Sequence, residues 1–205
     1  LNSIFFRATE WITRLVQLNI LWLAFSLSGF IVFTFFPATV AMFSTIRQWL
    51  RGETDKPIAK TYWSYFKKDF LKAHGYGIVI SFLGLVAYAH LIFMANNSEA
   101  PMLFLHIPFY LFLLFTFLTI LYLFPVYVHY KIGFFAVIKQ AFSIMIIHPL
   151  QTLFMIIGIV VTVVVMQYIP GTMFFFGGSF IALLVMGTAY QVFLDIEKKK
   201  STITE

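Results

Sequence analysis

Five histidines and a few amides are the groups in this chain best placed to do chemistry, because several of them interrupt long apolar runs. Polar and ionisable groups are costly to hold in an apolar environment, and so are functional candidates by default. Asn19, His90, His148 and Gln151 are the positions where an intramembrane polar cavity would be expected. A proton relay or a metal shared between helices would call on the histidines, His106 included. The plainer role is a neutral imidazole bonded to a nearby backbone group or hydroxyl. The absence of an HExxH or other paired-His spacing favours it. Gln17, Ser26, Ser28, Thr152 and Gln191 read as interhelical hydrogen-bonding groups, each worth on the order of 1 kcal/mol or less.

Several chemistries drop out at once. The chain has no Cys, which excludes disulfides, thiolate catalysis and Cys-based zinc sites. There is no GxSxG elbow and no phosphate-cradling glycine loop. No Asp, Glu, Lys or Arg falls inside an apolar run, which counts against an ion-coupled carrier and an intramembrane protease. The expectation is a protein with no cofactor, no metal site and no enzymatic activity.

The elements that must position these groups follow from where charge is missing. Residues 15–46 and 140–194 hold no charged side chain, runs of 32 and 55 positions in a chain of 205. A soluble domain needs charge on its exposed faces, whereas about 20 apolar residues suffice for a helix to cross a bilayer. The chain is 61% hydrophobic and 11% charged, with 27 Phe, against roughly 25% charged in soluble domains. The sequence therefore predicts an all-α integral membrane protein, one domain over residues 1–205, with five transmembrane helices at about 15–36, 74–95, 102–128, 141–166 and 172–194. The uncharged run is too long for a cleavable leader, and Glu10 and Arg14 lie where a leader would be apolar.

Between the first two spans the pattern changes. From Pro37, suited to a first helical turn, Met42, Phe43, Ile46, Trp49 and Leu50 share one helix face, and Ser44, Arg47, Gln48 and Arg51 share the other. A turn at 52–57 precedes Ile58, Tyr62, Tyr65, Phe66 and Phe70, set opposite Lys60, Ser64, Lys67, Lys68 and Lys72. Two short amphipathic helices, 38–51 and 57–72, are expected to lie on the cytoplasmic membrane surface. Pro37, Arg47, Trp49, Arg51, Phe66 and Lys67 are the candidate partner or lipid interface. Small-residue stripes at Gly77, Ser81 and Gly84, and at Gly178, Ala182 and Ala189, mark close helix packing. Turns at Asn96–Pro101 and at Pro170-Gly171 separate the later spans.

Basic residues are distributed unequally among the connectors. Segment 47–72 holds seven Lys or Arg, the connector near Lys131 two, and the C-terminal tail three. Cytoplasmic loops carry such an excess, which places the C-terminus inside and, with five spans, the N-terminus outside. If residues 15–46 instead bend back around Gly29, the N-terminus joins the cytoplasmic side and the other spans are unchanged. The net charge of +6 serves topology and anionic lipid rather than nucleic acid.

Residues 18–70 resemble the YesL family of bacterial membrane proteins. The matching pieces are Leu18-Asn19-Ile20-Leu21-Trp22, Pro37-Ala38-Thr39, the helix end Arg47-Gln48-Trp49-Leu50-Arg51-Gly52-Glu53, and Trp63 with Phe66-Lys67 and Phe70. After span three the family tends to carry an Arg-Phe-Asp-like sequence, where this chain reads Tyr130-Lys131-Ile132-Gly133-Phe134. The resemblance implies a multi-pass protein of a Gram-positive plasma membrane, often encoded beside polysaccharide-degrading enzymes and sugar importers of the ABC type. Taken with the two expected surface helices, it leads to the expectation of a non-enzymatic accessory protein for sugar uptake, with membrane lipid and permease or ATPase subunits as partners. The alternatives are an independent small-solute transporter or channel and a lipid-binding structural or regulatory protein.

Overall fold

The computed structural model describes residues 2–29, 33–96, 103–169 and 171–204. They form α1 (Asn2–Ser28), α2 (Phe35–Leu50), α3 (Ile58–Asn96), α4 (Leu103–His129), α5 (Phe134–Ile147), α6 (Pro149–Tyr168) and α7 (Thr172–Thr204). Residues 97–101 of the turn expected at Asn96–Pro101, and Pro170 of the second turn, lie outside the described residues. Among the described residues four helices, α3, α4, α6 and α7, are long and apolar enough to cross a membrane. The chain is thus an all-α, multi-pass membrane protein.

The first expected span differs most. The apolar part of α1, residues 15–28, rises only about 21 Å at 1.5 Å per residue, short of a hydrocarbon core of about 30 Å. The chain then turns back, and α2 runs antiparallel to α1. Thr34 Oγ1 donates to Ser26 O at 2.8 Å and Trp22 Nε1 to Thr39 Oγ1 at 3.1 Å. Trp11 meets Trp49 edge-on with ring centroids 6.0 Å apart. Arg14 consequently lies beside Thr54, its Nη2 3.4 Å from the carbonyl. This is the bent form of residues 15–46. It brings the first turns of α1 to the α2–α3 loop, where a complete crossing by 15–36 would have separated them.

Helix α2 is not a surface helix. Twelve of its residues are buried, Pro37 and Trp49 included, and it packs against α1, α3, α4 and α7. Its polar side chains include the hydroxyls of Thr39 and Thr45 and the amide of Gln48, which find partners inside the protein. Thr45 Oγ1 donates to Ala41 O at 2.8 Å. Gln48 donates to Glu53 O at 3.2 Å and accepts from Tyr65 Oη at 2.9 Å. With those bonds made internally, the hydroxyls carry no unmet polarity into the core, and Ala38 and Ala41 admit close neighbours.

The second expected surface helix and the second span are one continuous helix, α3. No Pro or Gly falls between residues 58 and 74 to end it. Tyr62 is fully buried in its first turns and donates to Ala38 O at 2.8 Å, and Phe66 packs against Phe25. The later half of α3 carries its apolar side chains outward, among them Ile78, Phe82 and Leu85. At Gly77 the ring of Phe36 occupies the space a Cβ would need.

The expected fourth span begins later than residue 141. Pro149, without an N–H and restricting the residue before it, ends α5 at Ile147 and opens α6. Helix α5 buries Val137, Ala141, Ile144 and Met145, one helical face, and packs chiefly against α4.

Candidate functional site

Charged and phenolic groups from five parts of the chain meet at one end of the bundle. The last turn of α2 supplies Arg47, α4 ends at His129, α7 brings Glu197, and the first half of α3 brings Tyr65, Lys68, Asp69 and Lys72. The α4–α5 connector adds Tyr130 and Lys131. Arg47 Nε lies 3.4 Å from His129 Nδ1 and its Nη2 3.3 Å from His129 O. His129 Nε2 lies 3.0 Å from Glu197 Oε1. A guanidinium can only donate and a carboxylate can only accept. The neutral imidazole with its proton on Nε2 satisfies both neighbours at once. Burial, followed by the like charge of Arg51, lowers the Arg47 guanidinium below its usual value, though arginine keeps its charge at any ordinary pH.

Several of these side chains border a cleft of about 650 Å³, within the range of ligand sites. Its walls include four cations (Arg47, Lys68, Lys72 and Lys131), one carboxylate (Asp69) and four tyrosines (65, 76, 127 and 130). Asp69 already accepts from Tyr127 Oη at 2.9 Å. Burial, then Glu197, pushes the Tyr130 hydroxyl up, which keeps it a neutral hydrogen-bonding group. The arrangement can hold an anion and hydrogen-bond to its oxygens.

Outside the cleft, the candidate interface residues divide. Pro37, Trp49 and Phe66 are buried and cannot meet a partner or lipid, because their helices pack inward. Arg47 is half-buried, and Arg51 and Lys67 are exposed. Lys67 Nζ sits 4.4 Å from the centroid of the Trp63 ring, a cation–π contact that holds the charge near the surface.

The intramembrane candidates do not come together. Asn19 is buried between α1 and α7, where its Nδ2 donates to Phe174 O at 2.6 Å and its Oδ1 accepts from Ser179 N at 2.9 Å. Gly178 brings the α7 backbone close to Trp22 and to this amide. His90 stacks on Phe109 with centroids 3.5 Å apart and faces His106 at 6.0 Å. His148 stands at the α5–α6 break, where its carbonyl accepts from Thr152 Oγ1 at 3.0 Å, and Gln151 follows it in half-exposed surroundings. Among the described residues no group of three or more His, Cys, Asp or Glu is disposed to hold a metal.

Sequence reasoning did not single out Asp69, Tyr127, His129, Tyr130, Lys131 or Glu197 as a group. Each sits at the border of an apolar run, where a charge or tyrosine is ordinary. Only the packing of α2 against α3, α4 and α7 makes neighbours of them.

Comparison with known proteins places this architecture. No solved structure matches the chain significantly. The family model described as "Protein of unknown function, DUF624" matches residues 15–91, the stretch holding the α1–α2 hairpin and most of α3. Three Bacillus subtilis proteins, each carried as uncharacterized, align over nearly the whole chain. YesL is 30% identical over 93% of this chain and 90% of its own length. YteU is 31% identical over 94% and 86%, and YesV 31% identical over 92% and 90%. Likeness of that extent and coverage makes this chain a member of the YesL-like, DUF624 family of membrane proteins.

Proposed function

We propose that the protein is a non-enzymatic, multi-pass accessory subunit that docks on another membrane protein through the charged end of its bundle. The observation that carries this reading is the division of polar groups. Asn19 is committed to helix packing, while the exposed cations Lys68, Lys72 and Lys131 line the cleft and Arg51 and Lys67 are exposed at the adjoining ends of α2 and α3. The carbohydrate context comes from the family resemblance alone. In that context the partner is the permease or ATPase of a sugar importer of the ABC type, at a Gram-positive plasma membrane. The charged end then faces the cytoplasm, as its basic excess favours. A transporter acting alone would need a polar route through the apolar layer, and the separation of Asn19, His90, His148 and Gln151 gives that reading no support.

Photo-crosslinking residues placed singly at Arg51, Lys67 and Lys131 of the full chain, in native membranes, test the docking role. Crosslinks to one importer permease or ATPase are expected, with none from the lipid-facing position Phe154. Adducts with lipid alone, together with unchanged sugar uptake in a deletion strain, would overturn it.

A further inference from the structure

Tyr76, which lines the cleft, also lines an apolar groove of about 430 Å³ between α3, α4 and α5, its ring stacked on Phe134 with centroids 4.5 Å apart where the two adjoin. Along α3 the cleft takes its wall from residues 65–76 and the groove from 76–83; along α4 the cleft takes Tyr127 and Val128 and the groove 112–123. The two helices touch through Tyr76 and Tyr127, with ring centroids 5.1 Å apart, and again through His90 and Phe109. Between those contacts they stand apart around the groove, which Leu83, Phe112, Phe115 and Thr116 help to line. Lys139 is the one charged residue on its walls.

We infer that cleft and groove are one binding site for an anionic diacyl phospholipid. Its phosphate lies among Arg47, Lys68, Lys72 and Lys131, and its acyl chains lie between α3 and α4. Charge selects the headgroup, since four cations face a single carboxylate already bonded to Tyr127; basic pockets between membrane helices recognise such headgroups. Depth selects the chains. From Lys72 to Leu83 the helix descends about 16 Å at its usual rise, about half of a 30 Å hydrocarbon core, so the groove reaches one leaflet deep. A partner helix would fill the groove and leave the cations unanswered, and a free phosphate compound would answer the cations and leave the groove empty. The lipid site shares Lys131 with the proposed docking end, but a chain that engages no importer can still hold the lipid.

The test uses the full chain, delipidated in detergent, with four probes: phosphatidylglycerol, phosphatidylcholine of the same chains, diacylglycerol, and glycerol 3-phosphate. Retention by native mass spectrometry and the shift in melting temperature are read for each. Phosphatidylglycerol is expected to bind at least about tenfold more tightly than the other three. Lys72→Gln with Lys131→Gln should weaken it by about 30-fold, the effect of two basic residues near a headgroup. Thr116→Trp, which fills the groove, should cut retention of phosphatidylglycerol, while Lys199→Gln outside the cleft leaves it unchanged. Equal binding of the two phospholipids would overturn the proposal. Equal binding of glycerol 3-phosphate would replace the lipid by a soluble phosphate ligand. Unchanged retention in Thr116→Trp would remove the groove from the site. If the double variant fails to fold, the comparison of phospholipids on the native chain decides alone.

Discussion

Asn19→Leu tests whether the deepest amide of α1 is a packing group or part of a polar route. Leu has the same branching but is larger, so crowding of its methyl groups against α7 adds to the loss of the amide's bonds. The substitution removes the bond from Nδ2 to Phe174 O at 2.6 Å and the bond from Ser179 N to Oδ1 at 2.9 Å. Interhelical hydrogen bonds in membrane proteins average about 0.6 kcal/mol and reach about 1.7 kcal/mol. The pair should therefore contribute about 1–3 kcal/mol, a fall of roughly 2–10 °C in melting temperature by the scaling of soluble chains this long. The assay is reversible unfolding of the full chain in mixed micelles, followed by tryptophan fluorescence. Asn19→Asp serves as comparison: it keeps the acceptor for Ser179 and loses the donor to Phe174, but adds a buried carboxyl, so it should fall at least as far as Leu. A change below about 0.3 kcal/mol for Leu would refute the packing role and return Asn19 to the candidates for a polar cavity.

Three further outcomes follow from other contacts. Gly178→Ala should destabilise by about 1–3 kcal/mol, because its Cβ would stand 2.9 Å from the Trp22 ring, whereas Gly84→Ala, with nothing within 4 Å, should be neutral or gain up to about 1 kcal/mol; the same unfolding assay reads both. Since the chain has no native Cys, single cysteines at Thr9, Asp55 and Lys198 can be labelled with a membrane-impermeant maleimide, and all three should react from one side of the membrane. Reaction of Thr9→Cys from the opposite side would break the α1–α2 hairpin. Arg47→Lys keeps the charge but not the fork that reaches both His129 Nδ1 and His129 O, and should cost about 1 kcal/mol in the same unfolding assay.

The periodicity of α2 shows why part of the fold was legible and part was not. Met42, Phe43, Ile46, Trp49 and Leu50 do share a face, and the reading of a helix there holds. Amphipathicity reports two unlike faces, however, and is silent on whether the polar one meets water or hydroxyl partners. Here Thr39, Thr45 and Gln48 find theirs inside, and the expected surface helix becomes the core. The same silence hid the continuity of α3, since a change from amphipathic to wholly apolar character need not be a break in the helix.

The absence of charge from 15–46 and 140–194 was sufficient by itself to determine a helical membrane protein, because lipid admits few charges and requires backbone polar groups to be satisfied within each segment. The family was legible too, in the dense motifs of residues 18–70. Tertiary structure alone decided that the first apolar run turns back, that α2 is an interior helix, and that Arg47, Asp69, His129 and Glu197 form one end. Those outcomes depend on which helix satisfies which polar group and on how far apart α3 and α4 stand. Such facts belong to pairs of segments distant in sequence, and no single segment carries them.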